Sequence, residues 1–345
     1  MRVYVYAMTL FCVIGCATNS APEEAPVEVS MGRFVMGTVL EMTAYGGNPE
    51  VTGASLRRAY EEIAQLDAQL SRHREESDIS RLNHAQGSPV ALAPSVREVL
   101  AIALREGRRS GGVFDVTVGP LVAVWSRAAA QGELPADATL AAAREQVGAE
   151  HVHWLPDGRV SLDAGSSIDL GGIAKGYALD RVLPGLRASG VSAALLSFGQ
   201  SSTWALGSPP GAVGWRLLVR SPSGGFAGVV TLRDRALSTS GTLGQWSEIA
   251  GQRFGHVLDP RSGWPLTRRR QALVVAPDAT LAEVLSTSLL VLGEREGIAL
   301  VEEQEGCEGL LLDAEAGAWQ TSGFGQATAF EPLPGFDGLT APLSP

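Results

Sequence analysis

Apolar residues recur at helical spacing over 53–70, at Leu56, Tyr60, Ile63, Leu66 and Leu70, which predicts an amphipathic helix with one buried stripe. A second helix is predicted over 95–109, entered through Pro94 and stopped by Ser110-Gly111-Gly112, and others over 135–147 and 176–188. The stretch 31–44 reads as a strand, and 151–155 with 159–163 as a hairpin turned at Pro156-Asp157-Gly158. Short alternating strands dominate 191–257, with turn signals at 208–214 and 221–225. Asp278 is placed to cap a helix ending at Leu292 with Gly293 as its stop, and 310–329 offers closing strands. Helices mix here with antiparallel-type strands and no regular βαβ alternation, so an α+β body of mixed sheet and helix is expected.

The N-terminus follows a different pattern. The apolar run 3–14 is shorter than the roughly 20 residues a bilayer span needs, and it precedes Gly15-Cys16, as in a bacterial lipobox. Residues 1–15 are therefore read as a lipoprotein signal peptide, with cleavage before Cys16 and lipid attached to its sulfur. An ordinary secretory peptide is the alternative. Residues 16–30, rich in Ala, Pro and Glu, form a flexible tether, 31–330 the folded body, and 331–345 a Pro/Gly-rich tail. The expected location is outside the cytoplasm, anchored to a membrane through Cys16 and facing the periplasm. Cys12 then leaves with the peptide and Cys307 is the one thiol in the body, so no intramolecular disulfide is expected.

Charge excludes some functions. With 27 basic and 37 acidic residues, a formal charge of −10 and basic side chains dispersed except at Arg268 to Arg270, the chain is no nucleic-acid binder. P-loop, G-x-G-x-x-G and G-x-S-x-G patterns are absent, and His151 with His153 lack a third ligand for zinc.

Arginine supplies every basic residue but one, Lys175. It stands in Asp169-Leu170-Gly171-Gly172-Ile173-Ala174-Lys175-Gly176, where glycines ahead of a helix start would admit a phosphate and an ammonium would neutralise it. A tight turn carrying a surface lysine fits the same residues. Glu283 and Thr287, four apart on the helix after Asp278, present two oxygens on one face with Ser286 between them. That donor set suits a hard cation such as Mg²⁺, or else a capping glutamate beside a back-bonded threonine. His256, between a strand and the Asp259-Pro260 turn, is a candidate proton carrier or a strand-end histidine held by backbone.

Taken in order, these segments resemble the ApbE family, the FAD:protein FMN transferases once described as thiamine-biosynthesis lipoproteins. The resemblance rests on Met36-Gly37-Thr38, Ser77-Asp78-Ile79-Ser80-Arg81-Leu82-Asn83, Gly112-Val113-Phe114-Asp115-Val116-Thr117, the Lys175 segment, Thr239-Ser240-Gly241, the His256 segment and Ala282 through Thr287. It implies a central cleft for FAD lined by Met36, His73, Val113, Phe114, Asp115, Asp169, Lys175 and Val257. It also implies Mg²⁺ on the main-chain carbonyl of Gly172 with Glu283 and Thr287, Ser286 lying near. In the implied reaction a threonine hydroxyl of an acceptor flavoprotein, of the kind found as a redox-complex subunit, attacks the FMN-side phosphorus of FAD. AMP leaves, Lys175 neutralises charge and His256 helps remove the proton. An FAD pyrophosphatase and a non-catalytic FAD-binding lipoprotein remain as alternatives. The chain departs from the family pattern in having Glu283 for an aspartate, Gln200-Ser201-Ser202 where an aspartate follows the glycines, and Thr242-Leu243-Gly244 for an acidic residue and tyrosine.

Overall fold

The computed structural model describes residues 25–336, apart from Gln200, Leu243, Gln245, Ala327 and Gly335. The signal peptide and most of the tether, Cys16 included, lie outside the described residues. No helix among the described residues is long and apolar enough to cross a membrane.

The chain opens with a hairpin, β1 (Val27–Val35) and β2 (Thr38–Gly46), where the sequence pattern predicted one strand. Alternation continues through the turn, so periodicity does not reveal it; Met36 and Gly37 both take positive φ, 51° and 75°, the geometry a two-residue hairpin turn requires. The helices α1 (Pro49–Leu70), α2 (Asp78–His84), α3 (Pro94–Arg109), α4 (Gly119–Gln131) and α5 (Asp137–Arg144) follow, then the small hairpin β3 (Val152–Trp154) and β4 (Val160–Leu162). Next come α6 (Ala174–Ala188), β5 (Val191–Phe198), β6 (Ser202–Leu206), β7 (Trp215–Arg220), β8 (Phe226–Leu232), β9 (Arg235–Gly241), β10 (Trp246–Ile249) and β11 (Gln252–Gly255). The chain closes with β12 (Leu258–Asp259), β13 (Trp264–Pro265), β14 (Arg270–Ala276), α7 (Ala279–Leu292), α8 (Glu296–Glu302), β15 (Glu308–Asp313), β16 (Gly317–Gln320) and β17 (Ala329–Pro332).

An eight-stranded antiparallel sheet, in the order β1-β2-β5-β6-β9-β14-β15-β16, is the frame. One face carries Leu40, Met42, Leu196 and Val274 into a core shared with α1, α3, α6 and α7. Part of the other face is covered by a second sheet, β17-β8-β7, through Trp215, Val230 and Leu232 against Leu273 and Leu310. A third cluster joins α4 and α5 to the β10–β11 hairpin, Trp125 stacking 5.1 Å from Phe254. Cys307 packs against the main core, and burial pushes its thiol up to about 12.

Two helices fix the interior. Gly176 in the first turn of α6 presses so closely on α7 that a Cβ there would meet the Ala279 carbonyl oxygen at 2.3 Å. One turn on, the Asp180 carboxylate accepts bonds from the N–H groups of Ala279 (2.9 Å) and Thr280 (2.8 Å), the Thr280 hydroxyl and the Trp204 indole (3.0 Å). It thus serves the unpaired donors at the start of α7 while tying both helices to β6. Asp278 caps the same helix on Leu281 N–H, and Gly293 stops it, as the sequence predicts.

Asp180→Ala should leave these buried donors unpaired and cost about 2 to 4 kcal/mol of stability. Burial pushes the Asp180 carboxyl up to about 6, above its unfolded value of 3.8. Its protonation therefore favours the folded state below the unfolded value, a contribution lost as pH rises through about 6. Denaturant titrations at pH 7 and pH 5 should show the gap between wild type and variant widening at the lower pH.

Candidate active site

Strands β2, β6 and β9, the starts of α6 and α7's inner face converge on a cleft of about 2130 Å³. Of the side chains singled out from sequence, Met36, His73, Val113, Phe114, Asp115, Asp169, Lys175, His256, Val257, Glu283 and Thr287 all line it, as does the backbone of Gly172. Residues 36 and 287 are thereby brought to one wall system.

The cleft's inner end is built around Glu283. From the buried face of α7 its Oε2 accepts the Gly176 N–H at 2.8 Å, and its Oε1 accepts the Ser202 hydroxyl and stands 3.4 Å from Lys175 Nζ. The N-terminal turn of α6 has no side-chain cap of its own, Ile173 holding the N-cap position, so a carboxylate from another helix supplies one where the helix dipole favours it. The capping alternative is thus realised across two helices, while the carboxylate still belongs to the cleft lining.

Lys175 Nζ donates to the Gly171 carbonyl at 3.3 Å, and its side chain remains 22% exposed, open to an anion in the cleft. Asp169 shapes the preceding turn: Oδ1 accepts Gly171 N–H at 2.8 Å and Oδ2 pairs with Arg72 Nε at 2.9 Å. Gly172 is tight for a reason, since a Cβ there would sit 3.2 Å from the Phe114 ring and 3.9 Å from Thr287 Oγ1. Its main chain therefore runs beside the threonine hydroxyl, one helical turn from Glu283.

Ser286 lies behind this surface. It is fully buried and bonds Ser240 (2.8 Å), Ser238 (3.0 Å) and the Glu283 carbonyl (3.1 Å). Ser240 in turn reaches Thr287 Oγ1 at 3.3 Å, so it and not Ser286 brings a hydroxyl to the front. Asp115 spends Oδ1 on the N–H and hydroxyl of Thr117 (2.7 and 2.6 Å), and burial raises its carboxyl. His256 is exposed at the cleft mouth just after β11. His151 (3.0 Å) and His153 (2.6 Å) both turn to Asp163 and do not line the cleft.

Sequence reasoning passed over Arg72 and Ser202. Arg72 is one of many arginines, and only its proximity to Asp169 distinguishes it. Ser202 falls at a departure from the family pattern, and its role is visible only once β6 is beside α7.

The ApbE family model matches residues 36–311. A FAD:protein FMN transferase of Treponema pallidum is 30% identical over 332 residues, covering 90% of this chain and 91% of that protein, and one from Escherichia coli K12 is 26% identical over 334. Among solved structures, the apo flavinyl transferase ApbE of Pseudomonas stutzeri superposes with a TM-score of 0.76 at 28% identity, covering 88% of this chain and 98% of that one. The flavin transferase ApbE of Vibrio cholerae gives 0.74 at 26% identity, covering 87% and 99%. The chain belongs to the ApbE family.

Glu283→Ala should strand the Gly176 N–H and the Lys175 ammonium, lowering stability by about 2 to 3 kcal/mol in metal-free buffer. Chemical denaturation in the presence of a chelator measures this; unchanged stability would mean the carboxylate does not hold α6.

Proposed function

We propose that this chain transfers the FMN part of FAD to a threonine hydroxyl of an acceptor flavoprotein and releases AMP, with Mg²⁺ required. The observation that carries the reading is the convergence of Lys175, the α6 N-terminus, Glu283 and Thr287 at one end of a cleft large enough for a dinucleotide. The relatives' names, FAD:protein FMN transferase and flavinyl transferase, support the same chemistry.

In this reading Lys175 holds the pyrophosphate as a compact ammonium, and the glycine turn lets the backbone approach it. The Gly172 carbonyl, Glu283 and Thr287 would hold Mg²⁺; their all-oxygen donor set, on adjoining backbone and one helical face, fits a hard cation. The metal would supply charge neutralisation on the pyrophosphate. The acceptor hydroxyl oxygen forms a bond to the FMN-side phosphorus while the bridging P–O bond breaks, its electron pair leaving with AMP. Such a displacement needs alignment and neutralised charge more than covalent help from the protein. His256, at the mouth where an acceptor enters, takes the hydroxyl proton. Export and lipid on Cys16 complete the reading, the body being anchored to its membrane through that residue.

One observation favours a second reading. Both Glu283 oxygens already accept protein donors, which leaves less of the carboxylate for a metal and suits a chain that binds FAD without turnover.

Incubation with FAD, Mg²⁺ and an apo-flavoprotein of the same organism should give an acceptor heavier by FMN, read by mass spectrometry, together with AMP. FMN and AMP without adduct would mean hydrolysis, and FAD bound unchanged would mean the second reading. Lys175→Arg should lower turnover by about tenfold or more, because the planar fork cannot reproduce a point charge between Gly171 and Glu283. His256→Ala should slow transfer with FAD affinity retained, and loss of affinity alone would reject the proton role.

A further inference from the structure

The cleft does not end at the phosphate-binding residues. It passes round the corner formed by Thr38, Gly199 and Ser201, where a Cβ on Gly199 would meet Thr38 Oγ1 at 2.4 Å, onto the opposite face of the eight-stranded sheet. The second sheet covers Ala193 and Leu195 of β5, and Trp215 lies 5.9 Å from Tyr45 of β2, so the open part of that face is the part nearer the corner. It is lined by Gly32, paired to Glu41, by Ser30, paired to Thr43, and by Ser197 next along. Toward the Met36-Gly37 turn the same face carries the cross-strand pair Phe34 and Val39, 72% and 46% exposed.

β7 borders this floor, with Arg216 to Ser221 lining the cavity. Among the described residues β7 pairs on one side only, with β8. Its other edge faces the large sheet, as the bond from Gln271 Nε2 to the Arg220 carbonyl at 2.8 Å shows. Leu218, in mid-strand, is 59% exposed. A strand with no second strand neighbour, beside a groove and with Leu218 exposed, is a template for an extended polypeptide.

We propose that an extended segment of the acceptor protein adds to β7 as a further strand, an apolar side chain meeting Leu218, and so brings its threonine past Gly199 and Ser201 to Lys175. This rests on the transfer reading above. Continuity of the groove with the phosphate end in one cavity favours the acceptor over any other occupant, since the acceptor is the macromolecule whose hydroxyl must enter that cavity.

The test compares wild type with Gly32→Trp and Leu218→Lys, using the apo-acceptor flavoprotein as probe. A Cβ at Gly32 meets nothing within 4 Å, so the indole fills the groove without displacing the fold, and Leu218 is exposed. Both variants should raise the acceptor KM by about tenfold or more while FAD affinity stays within about twofold. Amide exchange at Arg216–Arg220 should slow when the acceptor's Thr→Ala form is added. Adduct formation by wild type with KM unchanged in both variants overturns the groove and leaves the transfer reading standing. A raised KM without protection of these amides overturns strand addition. No adduct with wild type overturns the transfer reading and this proposal together.

Discussion

Everything at the inner end of the cleft depends on how closely α6 approaches α7. Gly176 permits the approach, having no Cβ to collide with the Ala279 carbonyl, and two carboxylates hold it. Asp180 reaches from α6 to the open donors at the start of α7, and Glu283 reaches back from α7 to a donor at the start of α6. Each helix thus has its N-terminus served by the other, and the lysine, glycine turn and hydroxyls are set by that crossing rather than by their own loops. The arrangement puts a carboxylate that belongs to the cleft under structural load.

That double duty gives physical content to the glutamate. A carboxylate one methylene longer than aspartate can cross to Gly176 and meet Ser202 on β6 while remaining on the cleft wall. Buried charge is tolerated here because it is paired with an ammonium and bonded by two neutral donors. Ser238, Ser240 and Ser286 form a hydroxyl ladder behind it, so the sheet backs the site with polar groups that bond one another.

Much of this was legible in the sequence, and the gaps have identifiable causes. α1, α3 and α7 follow from apolar stripes with Pro at the start or Asp and Gly at the ends. α4 was not foreseen because it opens on Gly119-Pro120, which reads as a turn, and β14 because both its faces are buried, which removes alternation. The hairpin at Met36-Gly37 hid inside an unbroken pattern. The cleft residues were found because short motifs keep their order along the chain. Arg72, Ser202 and the close Gly176–Ala279 approach were not, since each acquires meaning only from a partner distant in sequence.

The lone thiol has a consequence of another kind. Cys307 is partly buried and its thiolate form is suppressed, so it offers little to oxidants or to exchange with other thiols. Between α8 and β15 it serves as a small apolar side chain packed against the main core, so its volume and not its sulfur chemistry is what the fold uses.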